Sequence, residues 1–469
     1  MQKYDAVIIG AGLSGMSVAL LLARRGWRVA LLEQGRQLAP LIAGFDRAGA
    51  HFETGVHYSS CLGAGEVGRF FLEQLGVEVA VRACADDGYD EIRLLPTGRN
   101  FKMVCGRERL AAALAREFPA ERDAIARYLA RVRAAADQSA FLHAHRRGWP
   151  RQGFFEPRHG ATLREVLDEC FRSPELKAIF STATFLHGAP PARVSFAQHS
   201  CIVSGMFDSM WEIVGGGRAL VAAYRDALAR AGVEILLDTT VTNIELAPDR
   251  TKLIHIRHGA PLSAARCVST LHPREFFQLA PAGVYRAGYL SRAARIPETT
   301  GFFCLYAVNR GEKIYANNNI FLLPDLDFDQ LQPDGEGTPY YLNFSHETPQ
   351  TASLIAFVPP GQTLADRHSP AYRAEKQRTA EQHRQRLAEL SPDVLRDLRF
   401  VAAATPATQR HYTGYSGGYG LMHDASHVNI LPVTKLPGIY LAGQSVVAPG
   451  LLGSIISAFL LDKIIGAEN

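Results

Sequence analysis

From Ala6 to Ile9 the chain runs apolar without a break behind the single carboxylate of Asp5, the pattern of a strand buried on both faces of a parallel sheet. A turn with three spaced glycines follows, the apolar positions from Met16 to Arg25 recur at helical spacing, and Val29 to Leu32 reads as a second buried strand. The chain therefore opens on a strand-helix-strand unit. Between about residues 60 and 205 the pattern becomes that of Arg- and Ala-rich helices, as in Arg107 to Phe118 and Glu121 to Ala136, with Pro and Gly breaks from Trp149 to Gly160. From Gly215 the strand-helix alternation resumes, with a helix over Ala219 to Ala231 and strands at Val233 to Leu236 and Val241 to Leu246. A second stretch of different character, about 273 to 400, holds strands at Gly301 to Val308 and Ser353 to Val358 and a polar helix from Ala371 to Leu390. The chain closes with a strand at Ile439 to Ala442 and a helix from about Gly453. An α/β fold interrupted by two insertions is the expectation.

Composition narrows the class. A chain of 469 residues exceeds what one hydrophobic core usually organises, and 47% apolar with 20% charged residues describes a packed globular protein. The net charge of +4 is small for this length, so nothing global calls for nucleic acid. Arg146, Arg147, Arg151 and Arg158 make one local basic stretch, read either as a solvated loop or as a docking point for an anionic membrane surface or an acidic carrier protein. Seven cysteines without a CxxC pair indicate a reducing compartment, hence a cytoplasmic location. Asp5 and the glycines argue against a secretory leader at the N-terminus. The apolar run from Val446 to Leu461 is short for a bilayer span and is broken by Pro449 and Gly450.

The chemistry lies in the turns. Gly10-Ala11-Gly12-Leu13-Ser14-Gly15 follows a strand and opens a helix, with Ala19 four residues beyond and Glu33 at the end of the next strand. Gly10 permits a tight turn, Gly12 leaves room for a pyrophosphate at the backbone, and Gly15 with Ala19 lets helix and strand pack closely. The helix N-terminus favours the anion, and Glu33 accepts hydrogen bonds from ribose hydroxyls. NAD and FAD share such a turn. A returning segment, Gly438 to Gln444 followed by Ala448 to Gly453, points to FAD: Gly443 allows close approach, Gln444 reaches a ribityl hydroxyl, and a helix beginning near Gly453 aims its positive end at the flavin. The candidate cofactor contacts are thus Gly10, Gly12, Leu13, Ser14, Gly15, Glu33, Gln34, Arg36, Val241, Gly443, Gln444, Leu451, Leu452 and Gly453. Plain strand-loop-helix packing is the alternative for the C-terminal segment.

The N-terminal turn, the run Phe52-Glu53-Thr54-Gly55-Val56-His57-Tyr58, His187-Gly188-Ala189-Pro190-Pro191, Val214 to Gly217, Thr405-Pro406 with Tyr412-Thr413-Gly414, and Gly443 to Gly453 resemble, in order and spacing, the phytoene desaturase, carotenoid isomerase and retinol saturase superfamily. The retinol saturase and carotenoid isomerase branch is the nearest in character. The resemblance implies a Rossmann-like FAD-binding domain of the amine-oxidase-like architecture, assembled from residues 1–60, 205–272 and 404–469. An interleaved α+β substrate domain would come from 61–204 and 273–403. It further implies a long apolar polyene as substrate (carotenoid, retinoid or polyene polyketide) and peripheral membrane contact. Two positions depart from the family pattern. Gln34-Gly35-Arg36 stands where a Gly-Gly-basic cluster is common, leaving Arg36 as the substitute, and Gln444 stands where an acidic residue is common.

Candidate reactive residues are His57 and Tyr58, in the loop returning from the flavin domain, His187 and His199 in family-like stretches, and Tyr412, with Tyr415 and Tyr419 nearby. The plain alternative is a buried, satisfied imidazole for each histidine and a surface position for each loop tyrosine. No metal set is expected: His143 and His145 have no partner at ligand spacing. Desaturation, saturation and redox-primed isomerisation of a double bond all need the same cofactor and a similar tunnel, so the sequence leaves them open. One dinucleotide turn is visible, so electrons are expected from or to an external partner. The rivals are a flavin amine oxidase, which usually needs an aromatic cage that Gly443 to Ile456 does not supply, and a prenyl or lipid carrier on the same fold, disfavoured by the intact glycine turn.

Overall fold

The computed structural model describes residues 2–147, 160–281, 283–315, 319–330, 337–359, 366–423 and 431–467. Arg151 and Arg158 of the basic stretch lie outside the described residues, and Arg146 is exposed at the end of a short helix, Ala144–Arg147.

The opening run becomes the strand Lys3–Ile9, flanked in parallel by Val29–Leu32 on one side and Leu262–Ser269 on the other. Ile8 pairs with Leu31 and Val268, so the middle of the sheet is aliphatic on three adjacent strands. Glu234–Leu236 extends the parallel sheet beyond Val29–Leu32. Ile439–Leu441 joins the far half of Leu262–Ser269, and an antiparallel pair, Val241–Leu246 with Lys252–Ile256, lies beside its first half. The helix Leu13–Ala23 is buried from Leu13 to Leu22 because it is sandwiched between this sheet and the last helix, Gly450–Ala467. That last helix starts three residues before the expected Gly453. Among the described helices it alone is long and apolar enough to cross a membrane by length and composition. Ile455, Ile456, Phe459, Leu460 and Leu461 are nevertheless buried in the core of this layer.

A second, seven-stranded sheet runs in the order Leu398–Ala404, Gly301–Asn309, Thr351–Val358, Tyr340–Phe344, Asn319–Leu323, Asp90–Leu94, Arg99–Met103. The last two come from the stretch expected to be helical, which therefore contributes a hairpin as well as helices. It attaches through a parallel pairing of Asp90–Leu94 with Asn319–Leu323. One face of the sheet packs on helices that include Arg122–Ala136 and Phe196–Asp208 in an aromatic core around Tyr128, Phe171 and Phe180. The other face packs around Leu387 of the polar helix Pro370–Leu390.

Residues 45–58 connect the two sheets. Phe45 and Phe52 pack edge-on against Tyr306, at 4.9 and 5.8 Å between ring centroids. Thr351 and Ser353 donate their hydroxyls to the carbonyls of His51 and Glu53, both at 2.9 Å. The loop carrying His57 and Tyr58 is thus fastened to the second sheet by backbone contacts that leave its side chains free to point elsewhere.

Ile8→Ala would open a cavity at the fully buried centre of the first sheet. Large-to-small changes of this kind cost about 2–5 kcal/mol, so denaturant unfolding should show a clear loss of stability with unchanged secondary structure by circular dichroism.

Candidate cofactor and substrate site

Two glycines of the first turn are fixed by contact and one by open space. Gly10 adopts φ +99, and Thr270, whose hydroxyl donates to the carbonyl of Ile9 at 3.0 Å, crowds the place where a Cβ would stand. A Cβ on Gly15 would run into the carbonyl oxygen of Gly10, because the helix sits directly on the strand end. A Cβ on Gly12 would meet no protein atom within 4 Å. It would fill the cavity instead, where a pyrophosphate needs the backbone bare. No side chain caps the helix that starts at Leu13, so its first-turn N–H groups are left for an anion. Glu33 is buried and accepts from the N–H of Ala11 at 3.0 Å and of Gly35 at 2.8 Å, which fixes its carboxylate at the strand end with lone pairs to spare for ribose hydroxyls.

A contrasting helix shows what an occupied N-terminus looks like here. The helix Gly216–Arg230 donates the N–H of Gly217 to Glu53 at 3.1 Å, and burial raises that carboxyl to about 7 despite the bond. Glu53 closes one helix end; the glycine turn leaves the other open.

The C-terminal segment is tied to the turn by serines. Ser14 donates its hydroxyl to the carbonyl of Ser454 at 3.0 Å; Ser457 donates to the same carbonyl at 2.7 Å and accepts from the N–H of Gly443 at 2.9 Å. Gly443 (φ +116) and the first turn of the last helix, Gly450 to Ser454, are brought beside the start of the first helix. Gln444 lines the same space, but its amide nitrogen donates to the hydroxyl of Tyr415 at 2.7 Å, leaving the amide oxygen as its free group.

One cavity of about 850 Å³ joins these parts. At one end it is lined by Gly10, Gly12, Leu13, Ser14, Glu33, Gln34 and Val241; Gly443, Gln444, Leu451, Leu452 and Gly453 line its middle. Beyond them it widens into an aromatic chamber between the second sheet and the helix Phe196–Asp208. There Phe185 stacks on Phe357 at 4.1 Å and lies parallel to Phe321 at 5.9 Å. The polar end, the uncapped helix and the bare backbone at Gly12 fit the adenosine and pyrophosphate of FAD, and the glycine-lined middle fits its flavin part.

Of the expected cofactor residues, Gly15 acts from behind the turn by permitting the packing. Arg36 is misplaced as a cofactor contact: its side chain is 92% exposed and reaches Asp238 at 3.6 Å on the surface. The strand end turns outward after Gln34, so no pyrophosphate contact comes from this side chain.

Of the expected reactive residues, His57, Tyr58 and Tyr412 line the cavity. Tyr412 is half exposed, whereas Tyr415 and Tyr419 line the interior. Burial lowers His57 to about 4, so it is a neutral imidazole at ordinary pH. His187 and His199 are corrected. On the helix Phe196–Asp208 the residues facing the cavity are Ala197, Gln198, Cys201, Ile202 and Met206, and this helical phase turns His199 into the core. There its Nδ1 lies 3.3 Å from Nε2 of His187; burial lowers His187 to about 4, and burial with the neighbouring imidazole holds His199 well below its ordinary range. Both are interior histidines. The sequence missed Phe185, Phe321, Tyr341 and Phe357; of these, only Phe357 lies in an expected strand, where it faces the cavity with Ile355 at a period of two. Among the described residues no His, Cys, Asp and Glu group can hold a metal ion, and the seven cysteines are unpaired.

A parallel sheet with a bare glycine turn, a carboxylate at the end of its second strand and a C-terminal helix returning to the same cavity define an FAD-binding oxidoreductase. Residues 5–269 match the DAO family of FAD dependent oxidoreductases, and the chain belongs to that family. It is retinol saturase-like: over 528 aligned residues it is 23% identical to the all-trans-retinol 13,14-reductase of Rattus norvegicus, covering 100% of this chain and 86% of that protein. In fold it is similar to an oxidoreductase from Methanosarcina mazei (TM-score 0.71, 14% identity, 99% and 100% of the two chains covered). A redesigned putrescine oxidase is also similar in fold (TM-score 0.67, 16% identity, both chains covered in full).

Two glycine variants separate cofactor binding from folding. Gly12→Val should keep the circular dichroism and melting behaviour of the parent while purifying without flavin colour, since its side chain enters the cavity alone. Gly15→Val should lose both, since its side chain enters the carbonyl of Gly10.

Proposed function

We propose that this protein is an FAD-dependent reductase of a carbon–carbon double bond in a long apolar polyene, a retinoid-like molecule being the first candidate. The observation that carries the reading is the aromatic chamber that continues the cofactor cavity. A polyene has almost no hydrogen-bonding handles, so its affinity comes from apolar area removed from water, at roughly 25 cal/mol per Å². Phe185, Leu186, Ile202, Met206, Phe321 and Phe357 supply such a surface. Full-length similarity to an all-trans-retinol 13,14-reductase supports saturation as the direction.

Residues 1–60, 205–272 and 404–469 hold FAD in this reading, and 61–204 with 273–403 enclose the substrate. When bound, FAD supplies a carrier for an electron pair and one hydrogen, exchanged with a substrate carbon. The chain supplies the rest. First-turn N–H groups of the helix from Leu13 would hold the pyrophosphate, Glu33 would accept from the ribose, and the N-terminus of Gly450–Ala467 would favour negative charge on a bound flavin. Phe185 and Phe357 position the chain of the polyene and exclude water. Tyr58 lines the cavity and is the proton donor in this reading, beside a neutral His57 that cannot serve as an acid at ordinary pH. Electrons arrive from an external donor. Carotenoids and polyene polyketides share the chemistry of retinoids and belong in the same assay.

The purified flavoprotein, photoreduced without oxygen and mixed with all-trans-retinol, a carotenoid or a polyene acid, should reoxidise and yield a product with two more hydrogens. Bleaching of the oxidised flavin by a polyene would instead mean desaturation, and a changed isomer ratio over a flavin that stays reduced would mean isomerisation. Prompt reduction by amines with no response to any polyene would overturn the reading.

A further inference from the structure

Tyr58 is a wall shared by two cavities. On one side lies the aromatic chamber; on the other is a second cavity of about 20 Å³, lined by Tyr58, Tyr89, Asp90 and Thr182 among apolar residues. That volume has room for one water molecule. Two buried atoms, Asp90 Oδ1 and Tyr89 Oη, have no protein partner and belong to residues on its wall. Buried polar atoms without partners are costly, and a water in a small cavity whose otherwise apolar wall carries them is one way that proteins satisfy them.

Asp90 is held rigidly. It opens the strand Asp90–Leu94 and is paired in register with Asn319 on the neighbouring strand. Asn319 donates its amide to the carbonyl of Tyr89 at 3.1 Å and accepts from Tyr341 at 2.9 Å and Asn343 at 2.8 Å. Tyr58 completes the arrangement by donating its hydroxyl to Asp90 Oδ2 at 3.2 Å.

We propose that Tyr58 and Asp90, with one water bound in the small cavity, form the proton-delivery pair of the aromatic chamber: Tyr58 is the catalytic acid and Asp90 the positioning and recharging group behind it. The inference rests on the proposed reduction for the identity of the acceptor. Of the two hydrogens added across the double bond, one arrives with the electron pair from reduced flavin. The other arrives as a proton: the Tyr58 O–H bond breaks and a C–H bond forms at the second carbon. The carboxyl proton of Asp90 then passes to the phenolic oxygen, leaving a carboxylate that takes up a proton from water before the next turnover.

The protonation of Asp90 decides whether the pair can act. As a carboxylate it keeps the phenol proton of Tyr58 directed at itself. As a carboxylic acid it donates to the phenol oxygen, and the phenol proton is released toward the chamber. Burial raises Asp90 to about 7, while Tyr58 is pushed well above its ordinary range by burial and by the neighbouring carboxylate. The groups facing Asp90 are Tyr58, Tyr89, Tyr341, Cys84 and Cys105, all raised by burial, and the Asn319 amide. The acid form predominates below about 7, so proton delivery weakens as the pH rises through that value.

The test needs one readout without substrate and one with it. Infrared difference spectra of the flavoprotein labelled with carbon-13 aspartate should show a protonated buried carboxyl that titrates near pH 7, disappears in Asp90→Asn and moves in Tyr58→Phe. With reduced flavin and a polyene that the wild type turns over, both variants should keep KM and flavin content, lose about 100-fold in kcat, and lose the fall in kcat on the alkaline side of pH 7. Asp90→Glu should restore part of kcat. No titrating carboxyl in the wild type, or an unchanged pH profile in folded Asp90→Asn or Tyr58→Phe, overturns the pair. A wild type inert to every polyene refutes the proposed reaction instead, and the infrared titration still decides whether the pair exists.

Discussion

The structure depends on a helix end that the protein itself does not close. The first helix begins at a glycine with no side-chain cap, packed so tightly on the strand below that Gly15 lies against the carbonyl of Gly10. Unpaired N–H groups in an apolar surrounding are unfavourable, and an anion is what relieves them. The helix Gly216–Arg230 has its own N-terminus answered by Glu53. The same chain therefore contains a helix end satisfied from within and one reserved for a ligand, and the difference is a single buried carboxylate.

Around that open end the cavity divides by chemistry. Carboxylate, backbone amides and serines surround the part nearest the turn, whereas the far part is built of aromatic and aliphatic side chains carried mainly by the second sheet and the helices over it. The polar network that Tyr58 makes with Asp90, Asn319, Tyr341 and Asn343 of that sheet is placed at the border of the apolar part. Apolar surface fixes a hydrocarbon in depth but not in chemistry, and the few polar groups at its edge determine where a proton can go.

The elements legible in the sequence are those whose burial is written in composition. Ala6 to Ile9 and Val29 to Leu32 are buried on both faces and read as strands; the glycine turn between them reads as a phosphate site for reasons of space alone. The strand Leu262–Ser269 is as central, yet its sequence mixes Ser, Ala and Arg, because small residues suffice where neighbouring strands and helices fill the volume. Asp90–Leu94 alternates in burial, but its sequence opens on two carboxylates and alternates only from Glu91 to Leu94, too few positions to outweigh the helical pattern around it. The chamber was hidden for a different reason: its aromatics are brought together by pairing between strands far apart in the chain. His187 and His199 illustrate the remaining limit. Their surroundings were recognisable, but the sense in which a helix turns a side chain depends on which neighbour it packs against, and Ala197 and Gln198, not His199, drew the cavity side.

The bond between Ser14 and the carbonyl of Ser454 joins positions 440 residues apart. During synthesis the glycine turn leaves the ribosome well before the helix that completes its surroundings, which is made some 440 residues later. The cofactor site therefore cannot be completed when its glycine turn is made, and the nascent chain must keep its largely apolar first helix, Leu13–Ala23, sheltered until Gly450–Ala467 arrives. Flavin capture in this architecture waits on a segment made long after the turn that binds it.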